Sequence, residues 1–555
     1  MGYFDYKRRT SSPVRIGCVA IGGNNPVAVQ SMNNTQTADI DASVAQAVRI
    51  AAAGADIDRL TAQGVREAEA MGEIRGRLRA MGVNIPLVAD IHFNPRAAFA
   101  AAPLVDKVRI NPGNFIDPGR VFRLIDYTDQ EYAAELRRID EAFVPFLKLC
   151  REHGTAVRIG VNHGSLSDRI MSRYGDTPQG MVESAMEFLR VAVREKFNDV
   201  VISIKSSNTV VMTQTVRLLV KAMEGEGMSF PLHLGVTEAG DGEDGRIRSA
   251  VGIGSLLADG IGDTIRVSLS EEPEAEVPVA RELVRYITAR ASAPHIGGAP
   301  CHEFDPIERR RRPTDLCGNL GGGRQQLVAG YDSFGTDLAE VDVDSISADD
   351  LVALAGNLDG MALCLTTAHA NPVGRLSWAV HTLWQAGNRV PVVARIDYSG
   401  QPRENVVLHA AADFGALLLN GLIDGVDIKA DTLTRDEISD LALGILQAAR
   451  CRVTKTEFVS CPGCGRTMFD LQSTVRRVKE AVAGFPGLKI AVMGCVVNGP
   501  GEMADADYGY VGAGVGRVSL YRGKQLIEKN IDSELAVARL LELLRSDGHI
   551  TDCGA

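Results

Sequence analysis

Between residues 27 and 290 the chain alternates short apolar, β-branched runs with long stretches of helical periodicity. The apolar runs at 27–32, 57–61, 85–91, 107–111, 156–161, 199–205, 231–236 and 263–269 predict eight strands. Between them, apolar positions recur at helical spacing over 41–53, 66–81, 130–153, 178–197, 209–225 and 245–258. Strands this apolar, separated by helices, belong to a parallel sheet buried on both faces. Eight such units predict a (β/α)₈ TIM barrel. A doubly wound sheet is the alternative, and it gives no reason for a count of eight.

The pattern changes after residue 292. A Pro-rich, basic stretch (Pro294, Pro300, Pro306, then Arg309 to Pro313) marks a domain boundary. Beyond it, apolar strands at 360–365 and 390–396 mix with amphipathic helices, which predicts an α/β unit of four or five elements. That is too short for a second barrel, and it carries no cluster of ligands or cations, so a spacer or packing role is expected. The run from Gly318 to Arg324 lacks the Lys-Ser/Thr of a phosphate loop and follows no clear strand. Residues 451–555 predict a small α+β module. The expected class is α/β: a barrel over 1–292, an inserted α/β domain over 293–450, and the α+β module over 451–555.

In a TIM barrel, chemistry sits at the C-terminal ends of the strands. Five predicted strands carry a cation there: Arg59, Arg109, Arg158, Lys205 and Arg266. Side by side in one barrel mouth they would repel one another unless an anion joined them. Arg forks suit phosphate oxygens and Lys adds a point charge, so a small, multiply charged anion such as a diphosphate is expected. Pairing of individual cations with carboxylates such as Asp90 is the plainer alternative. Asp90 and His92 share a face of their strand and are candidates to orient substrate. Glu238, after the seventh strand, is the candidate proton donor.

The C-terminal module adds Cys461 and Cys464 in a C-x-x-C turn, and Cys495 on a Gly- and Pro-rich loop. Thiolates favour Zn, Cu(I) and iron–sulfur clusters. The cysteines alone leave structural zinc and iron–sulfur as equal alternatives, with Cys451 or Cys553 available to close a zinc cage. Glu502, on the loop of Cys495, is a candidate for a weaker, displaceable fourth ligand, and Asn498 for contact with substrate.

Charge narrows the classes further. The formal net charge of −11 argues against non-specific nucleic-acid binding. No run of about 18 apolar residues predicts a membrane span. The polar, basic N-terminus has no signal-peptide core, and ten irregularly spaced cysteines suit a reducing cytoplasm.

Several phrases together carry a resemblance: Val29-Gln30-Ser31-Met32, Asp90-Ile91-His92-Phe93, Arg109 to Asn114 (RINPGN), His233 to Glu238 (HLGVTE) and Gly494 to Glu502 (GCVVNGPGE). They resemble the 4-hydroxy-3-methylbut-2-enyl diphosphate synthases of the methylerythritol phosphate pathway, in the family's order, over the first 290 residues and the last 100. The resemblance implies a [4Fe–4S] cluster on Cys461, Cys464, Cys495 and Glu502. It also implies diphosphate binding on Arg59, Arg109, Arg158, Asn162, Lys205, Arg266 and Ser268. The implied reaction is reductive ring opening of 2-C-methyl-D-erythritol 2,4-cyclodiphosphate, with reduced ferredoxin or flavodoxin as electron donor. The middle segment resembles that of the three-domain form, in which an inserted spacer lets barrel and cluster domain meet within one chain, so both monomer and homodimer stay open. The rival readings are a zinc-stabilised barrel aldolase or lyase and a phosphometabolite sensor.

Overall fold

A computed structural model describes residues 2–91, 94–116, 126–467, 469–482, 485–495, 503 and 505–549. His92, Asn498, Glu502 and Cys553 lie outside the described residues.

A short antiparallel hairpin, β1 (Val14–Ile16) and β2 (Val19–Ile21), precedes the barrel. The barrel strands are β3 (Ala28–Met32), β4 (Ile57–Ala62), β5 (Leu87–Ile91), β6 (Lys107–Ile110), β7 (Ala156–Asn162), β8 (Val200–Lys205), β9 (His233–Leu234) and β10 (Thr264–Ile265). Neighbours pair in parallel, in the order β8-β7-β6-β5-β4-β3-β10-β9. A parallel bridge from Ile202 to Leu232, with Ile202 N–H donating to the Pro231 carbonyl at 3.0 Å, closes the ring between β8 and β9. The eight anticipated strands are therefore all present, in a barrel.

The last two barrel strands are only two residues long, against the six and seven expected. Beyond Leu234 the chain leaves the ladder, and the Thr237 N–H reaches sideways to the Ser206 carbonyl. That departure turns the residues after β9 over the barrel mouth.

The lumen is graded along its axis. Val14, Ile16 and Ile21 of the hairpin plug the bottom against Ala28, Ile57, Val88, Ala156 and Val201. Two residues further along the same strands, on the same face, stand Gln30, Arg59, Asp90, Arg158 and Ser203. Apolar packing thus seals one end, and polar groups fill the other.

The middle segment holds five parallel strands, β11 (Leu327–Val328), β12 (Leu338–Asp342), β13 (Ala362–Thr366), β14 (Val392–Asp397) and β15 (Gly425–Lys429), in the order β11-β15-β14-β13-β12. With four helices this exceeds the four or five elements expected. Three strands go beyond the two expected at 360–365 and 390–396: the edge strands β11, two residues long, and β12, mostly half-buried or exposed, and the interior strand β15, whose apolar run is broken by Asp427. The C-terminal module is a five-stranded sheet of β16 (Glu457–Ser460), β17 (Lys489–Met493), β18 (Tyr508–Gly514), β19 (Arg517–Arg522) and β20 (Gln525–Asp532). It is parallel from β16 to β18 and antiparallel beyond, and helices Leu471–Val482 and Ser533–Ser546 contribute to its core.

The barrel and middle units share one hydrophobic core. The barrel helix Gly242–Ala258 crosses the middle helix Arg403–Leu419 at small residues. A Cβ on Gly415 would stand 2.9 Å from Cα of Val251, and one on Gly254 2.8 Å from Cβ of Ala412. Beside the crossing, Arg290 pairs with the buried Asp413, which also accepts the Tyr286 and Tyr398 hydroxyls at 2.6 and 2.9 Å. We expect Gly415→Leu to force the helices apart and destabilise the protein by about 2 kcal/mol or more, as overpacking of a tight core does. Thermal unfolding checks this; an unchanged Tm would show that the two units move freely.

Candidate functional site

One pocket lies between the C-terminal ends of the barrel strands and the cysteine loops of the C-terminal module. Its floor is Met32 from β3, Arg59 from β4, Asp90 from β5, Arg109 from β6, Arg158 and Asn162 from β7, and Ser203 and Lys205 from β8. Thr237, Glu238, Arg266 and Ser268 follow from the segments after β9 and β10. Its roof is Cys461 to Cys464, Arg466, and Met493 to Cys495. Both walls come from the same chain.

The roof is seated by backbone contacts. Ala239, the residue after Glu238, forms a parallel bridge with Ser460, the residue before Cys461. Ser270 Oγ donates to the Cys461 carbonyl at 2.9 Å, and Arg248 donates to the Phe458 carbonyl at 2.9 Å. Gly465 fits against the barrel loop: a Cβ there would lie 2.6 Å from the Thr35 carbonyl oxygen. The same bridge therefore brings the candidate proton donor and the first cysteine together.

The five cations anticipated from the sequence all reach this pocket, but they are not equivalent. Arg109 donates to Asp90 at 3.1 Å, to the Gly160 carbonyl at 3.0 Å and to Asn162 Oδ1 at 2.9 Å. Gly160 is required for this: a Cβ would stand 2.5 Å from Arg109 Nε. Arg266 makes a two-pronged pair with the buried Glu276, at 3.0 and 2.8 Å. For these two the plainer expectation, a structural carboxylate partner, holds. Among the described residues, Arg59, Arg158 and Lys205 have no carboxylate within ion-pairing distance. Arg59 directs Nε and Nη2 at the Met32 sulfur, 3.1 and 2.7 Å away, a weak acceptor. Arg158 is 1% exposed and leaves Nε and Nη1 without a hydrogen-bond partner.

Burial pushes the Arg59 guanidinium down to about 10; Asp90 opposes this, and Arg266, Arg109 and Arg466 add to it. Arg158 and Lys205 are driven well below their usual values by burial first and by the surrounding cations second. Arginine nevertheless keeps its proton in proteins. The direction therefore describes a site that holds positive charge at a cost, and an anion would remove that cost.

The three cysteines predicted as ligands come together in the roof. Gly494 N–H points to the Cys461 sulfur at 3.2 Å, and Arg466 Nε to the Cys464 sulfur at 3.2 Å. Burial pushes the Cys461 thiol well up, and Cys495, Cys464 and Glu238 facing it add to the shift. Such a thiol ionises in place only against a positive centre. Cys451 is directed elsewhere, toward Arg309 Nη2 at 3.1 Å, so it does not close a four-cysteine cage. Among the described residues, no three His, Cys, Asp or Glu side chains gather closely enough to hold one metal ion. Three thiols on one wall of the pocket form a soft donor set, which suits an iron–sulfur or zinc centre.

Glu238 is 7% exposed and holds φ at +48°, in the left-handed region. A non-glycine residue held there stores strain of order 1 kcal/mol, a feature that clusters at functional sites. Arg466, Thr237 and Ser203 also line the pocket and were not singled out from the sequence. For Arg466 the signal was its place two residues after the second cysteine of the C-x-x-C turn.

The GcpE TIM-barrel domain matches residues 11–281, and the GcpE protein C-terminal domain matches residues 457–546. A Bacteroides fragilis protein named 4-hydroxy-3-methylbut-2-en-1-yl diphosphate synthase (flavodoxin) is 52% identical over 99% of this chain and 97% of its own length. Proteins of the same name from Parabacteroides distasonis and Akkermansia muciniphila are 50% and 43% identical, each over 99% of this chain and 99% and 98% of theirs. The chain belongs to the GcpE family. Its pocket lies where the two matched GcpE domains face each other. The middle sheet falls between those domains, and near-complete coverage shows that these GcpE relatives carry a corresponding segment.

Proposed function

We propose that this GcpE protein opens the ring of 2-C-methyl-D-erythritol 2,4-cyclodiphosphate to give (E)-4-hydroxy-3-methylbut-2-enyl diphosphate, an isoprenoid precursor. In terms of the neutral acids, two electrons and two protons enter and one oxygen leaves as water. The observation that carries this reading is a cation-lined barrel mouth roofed by three cysteines, in a chain 52% identical to a synthase of that name.

Each part of the chain then has a task. Residues 1–292 hold the diphosphate, 451–555 hold a [4Fe–4S] cluster, and 293–450 fix the two at a constant distance. Arg59, Arg158 and Lys205 bind the diphosphate oxygens, joined by Arg109, Arg266, Asn162 and Ser268. Asp90 orients Arg109, and His92 and Asn498 complete substrate contact. Glu238 delivers a proton to the departing oxygen. The roof excludes water while the C–O bond breaks. Cys461, Cys464 and Cys495, with Glu502 as the displaceable fourth ligand, would hold the cluster. When bound, the cluster supplies electrons one at a time at low potential. The electrons come from a small redox protein, ferredoxin or flavodoxin; the names of the relatives favour flavodoxin. No helix among the described residues is long and apolar enough to cross a membrane, and the enzyme is read as cytoplasmic. Because one chain supplies both walls of the pocket, a second copy is not needed to complete the site.

The test is composition plus turnover. Protein purified without oxygen is expected to carry about four irons and four sulfides per chain. With a reductant it is expected to convert the cyclodiphosphate to the linear product. One zinc and no iron after anaerobic reconstitution would overturn the redox reading.

A further inference from the structure

Beneath the pocket the barrel holds a second polar layer that the proposed chemistry does not use. Lys107 on β6 is 0% exposed and His233 on β9 is 1% exposed. By strand register, Lys107 stands level with Val88 and Ala156, residues of the apolar floor. His233 stands level with Thr264, which in turn is level with Ala28 of that floor. An ionisable side chain in a sealed apolar layer ordinarily has a carboxylate partner. Here there is none. Lys107 Nζ has a single long contact, 3.4 Å, to Gln30 Oε1. His233 Nδ1 lies 3.4 Å from Thr264 Oγ1, and its Nε2 has no hydrogen-bond partner. Gln30 Nε2 and two nitrogens of Arg158 are also without partners. Orphaned buried polar atoms grouped in this way call for an explanation.

Among the described residues, the charged groups that act most strongly on Lys107 and His233 are all cationic. Lys107 faces Arg158 from β7 and Arg59 from β4; His233 faces Arg158, Lys205, Lys107 and Arg59. The carboxylates nearby are committed higher up: Asp90 to Arg109, and Glu276 to Arg266. Arginines keep their protons, whereas lysine and histidine give theirs up when buried. Burial first, and the neighbouring cations second, drive both Lys107 and His233 well down.

We propose that the Lys107–His233 layer couples anion binding to proton uptake, so that a diphosphate seated in the mouth is accompanied by a proton taken from solvent onto this layer. This rests on the diphosphate reading above. The arriving negative charge offsets the cations overhead and makes a charged Lys107 affordable. The layer thereby adjusts the charge beneath the substrate without a further fixed cation, which would destabilise the empty barrel. Lys107 and His233 are positioning residues in this scheme.

The test is calorimetric titration of the oxidised, cluster-loaded enzyme with the cyclodiphosphate. No reductant is added, and buffers of different ionisation enthalpy are compared near pH 8. Each phosphate of the ring carries only a strongly acidic hydroxyl, so the ligand itself exchanges no proton at this pH. The expected slope is about one proton taken up per ligand bound. Lys107→Met should cut the slope at least twofold and raise the Tm of the ligand-free protein, since it removes an unpartnered buried amine; His233→Gln reports the histidine's share. Binding with no buffer dependence would overturn the proposal and leave the diphosphate reading standing. A slope unchanged in both variants would also overturn it. Absence of any binding would instead overturn the diphosphate reading itself.

Discussion

Arg158→Met is expected to lower kcat/KM by about 10²–10³-fold and, at the same time, to make the substrate-free protein more stable. The first effect follows from the place of Arg158 on the pocket floor, with Nε and Nη1 free to meet an anion. Loss of one preorganised donor to charge that a reaction must stabilise costs about 3–4 kcal/mol. The second effect follows from its burial at 1% exposure, among Arg59, Arg109 and Arg266. Replacing a costly buried charge with an apolar side chain of similar length is often stabilising, by about 1–4 kcal/mol. Opposite signs in activity and stability are the mark of a residue retained for function at the expense of fold. Steady-state kinetics and thermal unfolding of the variant check both halves. A variant that lost activity and stability together would place Arg158 in the structure rather than in substrate binding. Arg109→Met differs in kind. It removes the contacts that Arg109 makes with Asp90 and Asn162 Oδ1, at 3.1 and 2.9 Å, and with the Gly160 carbonyl at 3.0 Å, and is expected to destabilise.

These contrasts show how far the sequence could be read. Hydrophobic periodicity located all eight barrel strands because each is buried on both faces, and a buried parallel strand has a strong apolar signature. The cations stood out for the complementary reason: they interrupt runs that are otherwise apolar. Pairing was not legible. Glu276 lies on the helix after β10 and looks like any solvated helix carboxylate, yet it folds back to meet Arg266. The bottom plug was missed because a three-residue strand such as β1 is too short to show a period. β16 was missed because Glu457 reads as exposed, although it is buried against Arg450, Arg248 and Lys489. That omission mattered most for the site. The end of β16 carries Ser460 onto Ala239, and this bridge places the cysteine roof over the mouth. Long-range registers of this kind leave no local trace in composition. The cysteine spacing told which residues belong together but not which wall they face.

Glu238→Gln tests the remaining assignment, because the position combines three independent features. It is buried, it is strained at φ +48°, and its carboxylate faces the Cys461 thiol from the barrel side. A proton donor in this place lies between the cations proposed to hold the diphosphate and the cysteines proposed to hold the cluster. Gln keeps the shape and the hydrogen-bonding reach but carries no transferable proton. Loss of general acid catalysis ordinarily costs about 10²–10⁴-fold, so turnover should fall by that factor. Iron content and cyclodiphosphate affinity should remain near those of the unaltered enzyme. Glu238→Gly separates chemistry from strain. It should lose at least as much turnover, while the release of the left-handed conformation offsets part of its entropic cost and leaves stability within about 1 kcal/mol. Unchanged turnover in Glu238→Gln would end the donor role. A variant that lost iron along with activity would instead show that Glu238 supports the cysteine roof, through the Ala239 bridge to Ser460.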